Sequence, residues 1–223
     1  LLGCGRSDKP CLTYTNYLYV QLLTDFIHNI IGESPDVITT NNSISFAVLS
    51  QNMDRSLIRR IIAINPPALG TFERNPDKYS SVKKILLELP IIGTFIYNIR
   101  THEVNIQKIL RETYFAKPQL VSSKMLDAYY ESAHMDKSHG KYLMASIEGH
   151  YTDNAITHAL KKIEIPLYII ESRNMKDAVA IADSYTHKNS YVETSYISNA
   201  GLTPQLEVPD KLLGIINMFL NDK

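Results

Sequence analysis

The apolar positions of this chain change rhythm twice. Leu18, Leu22, Leu23, Phe26, Ile27 and Ile30 recur at three- and four-residue spacing, which predicts an amphipathic helix from Thr15 to Ile31 that Gly32 stops. Asp36-Val37-Ile38-Thr39-Thr40 is a short β-branched run and predicts a strand. Asn41-Asn42-Ser43 reads as a tight corner, and an apolar helix resumes from Ile44 to Asn52. Ile61-Ile62-Ala63-Ile64 is apolar on both faces, as in a buried parallel sheet. Asn65-Pro66-Pro67 ends that strand, because proline cannot donate to a ladder.

From residue 68 to about 164 the spacing is helical throughout. The sets Val82, Ile85, Leu86, Leu89; Ile106, Ile109, Leu110; Met125, Leu126, Tyr129; and Ile156, Leu160, Ile163 predict four or five helices punctuated by Pro76, Pro90 and Pro118. Strand character returns at Pro166 to Ile170 and again at Tyr191 to Ile197, with a helix from Met175 to Tyr185 between them. A last helix starts at Pro209, with Leu212, Leu213, Ile216 and Phe219 on its apolar face. Strands alternating with helices around a helical stretch imply an α/β fold with a helical cap. The expected division is core at 1–67, cap at 68–165 and core again at 166–223.

Composition narrows the function. The 223 residues carry 23 Lys+Arg against 23 Asp+Glu, a formal net charge of zero, so there is no electrostatic reason to expect nucleic acid or an anionic membrane as partner. Hydrophobic residues at 44% and charged residues at 21% suit a sizeable core. No apolar run approaches the roughly 20 residues of a membrane span. Cys4 and Cys11 make neither a disulfide framework nor a zinc site, and a reducing, cytoplasmic setting is expected. No HxH, HExxH or glycine-rich phosphate loop occurs, so neither metal nor cofactor is expected.

Particular residues carry a resemblance. Gly3-x-Gly5-x-Ser7-Asp8-x-Pro10 resembles the loop after the fourth strand of α/β-hydrolase-fold enzymes. The strand at 36–40, the corner Asn41-Asn42-Ser43-Ile44-Ser45 and the helix behind it resemble the nucleophile elbow of that fold. Ile61 to Pro67 is similar to its next strand, Pro166 to Ile170 to the strand before the acid loop, and Gly201-x-x-Pro204-x-x-Glu207 to the histidine loop. Leu89-Pro90-Ile91-Ile92-Gly93 with Tyr97-Asn98 resembles caps of bacterial and plastid members. The resemblance implies an α/β-hydrolase fold with a mostly parallel sheet. It also implies an N-terminally truncated member, since about three strands and a histidine-glycine loop have no counterpart before Leu1-Leu2.

The same resemblance places the site. Ser43 falls at the nucleophile position, flanked by Asn41 and Ser45 where the family has glycines, and the amide of Ile44 at the oxyanion position. The acid position falls on Asn174 or Met175, and the histidine position on Leu202. A triad so altered has no general base, and His134, His139 and His150 in the cap are the substitutes to test. The expected function is that of a hydrolase of small ester-like or related apolar substrates. The alternative is a non-catalytic ligand-binding or interaction protein on the same fold.

Overall fold

The structure, a computed structural model, describes residues 1–221. Four strands, β1 (Asp36–Thr40), β2 (Arg60–Ile64), β3 (Leu167–Ser172) and β4 (Val192–Ile197), form one parallel sheet in the order β1-β2-β3-β4. Ile38 lies beside Ile62, Ile62 beside Tyr168, and Ile170 beside Ser195. The side-chain period of two then sorts the strands into two faces. Ile61, Ala63, Leu167 and Ile169 share one core with Ile44, Ala47 and Val48, while Ile62, Ile64, Tyr168 and Ile170 share another with Leu212, Ile216 and Phe219. Every residue of β3 is buried, as the apolar run predicts for an inner strand. At the edge, Ile38 of β1 remains 50% exposed.

The helices follow from their caps as much as from their stripes. In α1 (Asn16–Phe26) the Thr15 hydroxyl accepts from the Leu18 amide, and the helix loosens into a π-turn at Ile27–Ile31. Gly32 closes it with φ 75°, a backbone that the lack of a Cβ makes easy. The expected apolar stripe is corrected here. Phe26 is 53% and Ile30 71% exposed, and the buried positions are Asn16, Tyr19, Val20 and Ile27. The side that packs against α2 (Ile44–Met53) carries Asn16 and Tyr19 beside Val20, so the spacing of the aliphatic residues alone does not mark it.

Between β2 and β3 the chain is helical, as read. It forms α3 (Lys78–Glu88), α4 (Ile92–Arg100), α5 (Glu103–Ile109), α6 (Ser123–His134), α7 (Gly140–Glu148) and the short α8 (Thr157–Leu160). Here too a face is reversed: Val82, Ile85 and Leu86 are exposed, and α3 buries Leu87 instead. The remaining helices are α9 (Ala178–Thr186), α10 (Pro204–Glu207) and α11 (Pro209–Asn221). At the amino ends of the strands Asp36 accepts from both Arg59 and Arg60, and Arg60 also donates to the carbonyls of Phe219 and Leu220, tying α11 to the sheet. Among the described residues no helix is long and apolar enough to cross a membrane.

Candidate functional site

The carboxyl ends of β1, β2 and β3 open into a cavity of about 550 Å³. In an open parallel sheet that edge is where ligands bind. Asn41 and Asn42 line it from the end of β1, Pro66 and Pro67 from the end of β2, and Glu171 and Met175 from the end of β3. Tyr114 of the helical segment and Leu202 of the loop after β4 complete the wall.

The turn from β1 into α2 decides what the site can do. A residue at the apex of such a turn is lifted clear of the sheet by a strained backbone. The structure gives the left-handed backbone to Asn41, with φ 50°, and asparagine tolerates that region better than most residues. The apex with its flanking residues is therefore Thr39-Thr40-Asn41-Asn42-Ser43, centred two residues before Ser43. Ser43 closes the 3-10 turn Asn41–Ser43. Its Oγ accepts from the Thr40 amide at 3.0 Å and donates to the Thr40 carbonyl at 2.7 Å, back toward the strand. The Ile44 amide is also committed, to the carbonyls of Asn41 and Asn42, and its side chain is fully buried in the core. Neither residue is among those lining the cavity.

Of the residues expected at the acid and histidine positions, two line it. Met175 and Leu202 are in the wall, whereas Asn174 is exposed and accepts from the Asn199 amide, joining the loops after β3 and β4. Leu202 is held by its amide, which donates to the Tyr114 carbonyl at 2.8 Å. Beside it, a Cβ on Gly201 would stand 2.6 Å from the Ala116 nitrogen and the Tyr114 oxygen, so glycine is what lets the helical segment come this close. The Glu207 carboxylate accepts from the Gly201 amide at 2.5 Å and from the Lys117 amide at 3.1 Å, fastening the same junction.

No histidine is among the cavity's lining residues. His139 pairs with Asp136, His150 with Asp153 and His28 with Asp54, while the His134 ring stacks on Tyr130.

Two residues in or beside the site were not singled out by the sequence. Asn65, buried and with φ 46°, donates through Nδ2 to Ser172 Oγ and to the carbonyls of Gly201 and Leu202, each at 3.1 Å. Its Oδ1 accepts from the Ser172 amide at 2.7 Å. One side chain thus fixes the end of β2 to the end of β3 and to the loop that carries Leu202. Glu171 continues the inward row of Leu167 and Ile169 and is 2% exposed. Its Oε1 has no hydrogen-bond partner, and burial pushes its carboxyl from the ordinary 4.5 up to about 8. The signal was present in the sequence: a carboxylate in step with a wholly apolar strand.

No family model and no curated protein matches the sequence. Solved structures do match the fold. An epoxide hydrolase, CorEH, aligns with TM-score 0.72 at 17% identity, over 98% of this chain and 79% of that one. A serine hydrolase involved in carbazole degradation, the CarC enzyme, gives 0.73 at 16%, over 100% and 78%. A probable hydrolytic enzyme from Pseudomonas aeruginosa gives 0.74 at 13%, over 99% and 74%. With the parallel sheet, its flanking helices and the strand-to-helix turn at Asn41, these likenesses identify the architecture: the chain has the α/β-hydrolase fold.

Proposed function

We propose that this chain is a ligand-binding member of the hydrolase fold. Its cavity at the carboxyl edge of the sheet takes a small, partly apolar molecule of ester-like chemistry, with the helical segment 68–165 acting as a cap. It does not turn that molecule over through a serine relay. The observation that carries the reading is Asn41 at the apex of the turn. A carboxamide nitrogen has its lone pair delocalised into the carbonyl and does not attack an acyl carbon. Leu202 cannot accept a proton, and Met175 cannot stabilise an imidazolium. Ser43 gives its proton to the Thr40 carbonyl and accepts from the Thr40 amide.

A second reading, hydrolysis of the same class of molecule, draws on the neighbours, which include an epoxide hydrolase and a serine hydrolase. It needs a nucleophile other than residue 41. One experiment separates the two readings. The chain is treated with a fluorophosphonate probe and with p-nitrophenyl acetate, and labelling is read by intact mass. No label and no turnover above buffer are expected. Stoichiometric labelling that disappears in Ser43→Ala would overturn the first reading and establish the second.

A further inference from the structure

We infer that Glu171 is the anchoring group of this cavity: its neutral carboxyl donates a hydrogen bond to an acceptor oxygen on an uncharged ligand, such as the carbonyl of an ester, amide or ketone. The inference rests on the reading that this cavity is the ligand site. Three observations carry it. Glu171 lines the cavity while only 2% of its surface is exposed. Its Oε1 finds no partner within the protein, although buried polar atoms are nearly always paired. Burial is the cause of its raised titration.

The surroundings fit a donor in the neutral state. Facing the carboxyl from α9 is Tyr185, whose hydroxyl is already given to the Pro67 carbonyl at 2.8 Å. The helical segment contributes Tyr114, and the loop before α9 contributes Lys176, which is exposed. The ends of β1 and β2 contribute only Asn41, Asn42, Asn65 and prolines, none of which titrates. A ligand carbonyl entering between Asn41 and Leu202 meets one strong donor at the floor of a partly apolar pocket. Such a floor orients a ligand through a single polar contact while apolar walls supply the rest. An ionised Glu171 has no proton to donate and repels a carbonyl oxygen, so ionisation removes the anchor.

The test uses the full chain with acetophenone and benzamide as neutral carbonyl probes and benzoate as the anionic comparison, titrated by backbone amide NMR. The neutral probes are expected to shift Asn41, Ile170 and Leu202 at about pH 6.5. Their affinity should fall about 30-fold by about pH 9.5, the ratio of neutral fractions for a carboxyl titrating near 8. Glu171→Gln keeps a donor that cannot ionise, so binding should persist and lose its pH dependence. Glu171→Leu should bind about tenfold more weakly than the wild type does at about pH 6.5, the loss of roughly one hydrogen bond, and should show no pH dependence. Shifts that appear at those residues but stay independent of pH in the wild type overturn the role of Glu171 and leave the cavity as the ligand site. Tighter binding of benzoate than of both neutral probes also overturns it. Absence of any shift at those residues overturns the cavity itself as the site.

Discussion

Replacing Asn65 with alanine is expected to cost about 4 kcal/mol of folding free energy, a large share of the roughly 5–15 kcal/mol of a typical domain. The amide at Ser172 loses its acceptor, the Asn65 Oδ1 at 2.7 Å, inside a buried strand end. Leaving a buried donor unpaired costs about 1–3 kcal/mol. The Gly201 carbonyl and the Ser172 hydroxyl lose the Nδ2 donor, which adds roughly 1 kcal/mol more after partial rescue by water. An alanine held at φ 46° costs about 1–2 kcal/mol beyond what asparagine pays there. In urea, with a slope of roughly 2.5 kcal/mol/M, the midpoint should drop by about 1.5 M. Two companions separate the contributions. Asn65→Gly accepts the backbone and should recover about 1 kcal/mol of the loss. Asn65→Asp keeps the acceptor for Ser172 but sets a carboxylate oxygen against the carbonyls of Gly201 and Leu202, so it should be no better than alanine at neutral pH. An alanine variant within 1 kcal/mol of the parent would refute this account of the strand ends.

Glu171→Gln should change how stability depends on pH. A carboxyl raised from 4.5 to about 8 keeps its proton in the folded chain after the unfolded chain has released it, so its contribution to stability declines between those values and is flat above. At about 1.36 kcal/mol per pH unit the ceiling is ~5 kcal/mol, and cavity water solvating the ionised group lowers it to roughly 2; melting at about pH 5 and pH 9 should show the variant gaining at the higher pH, and a constant difference would contradict the burial of this group. Ser43→Ala should lose about 1 kcal/mol through its two bonds to Thr40 and leave probe binding in the cavity unchanged, read by urea melts and NMR. Gly201→Ala should displace residues 114–116 and destabilise by about 2–4 kcal/mol, since its Cβ meets the backbone of that segment; near-parental stability with unshifted Tyr114 amide resonances would count against that contact.

Much of the fold was legible because it rests on period and order. Strands at 36–40, around 61–64 and around 166–170 appear in the structure as β1, β2 and β3 with ends moved by one or two residues. What was not legible depended on choosing between equivalent patterns. In α1 two stripes of apolar residues compete, and only the placement of α2 selects Tyr19, Val20 and Ile27 over Leu22, Phe26 and Ile30. At the elbow, serine drew the assignment to residue 43, whereas the backbone bends where β1 runs out, at Asn41. Asn65 acts through contacts more than a hundred residues away, which local spacing does not encode; the strand period marks Glu171 as inward-facing, but only the tertiary structure shows the cavity it lines.

The helical segment between β2 and β3 also bears on how the molecule assembles. The pairs β1–β2 and β3–β4 each join strands separated by one helix, so both can form early as local units. The central pair, β2 with β3, must bring Ile64 beside Ile170 across roughly 100 residues, an entropic cost of about 4 kcal/mol if the intervening chain is a flexible coil. Folded helices shorten that coil. The rate at which the two halves of the sheet meet is then governed by how fast α3 to α7 consolidate, and substitutions that weaken those helices should slow refolding even where they leave the sheet untouched.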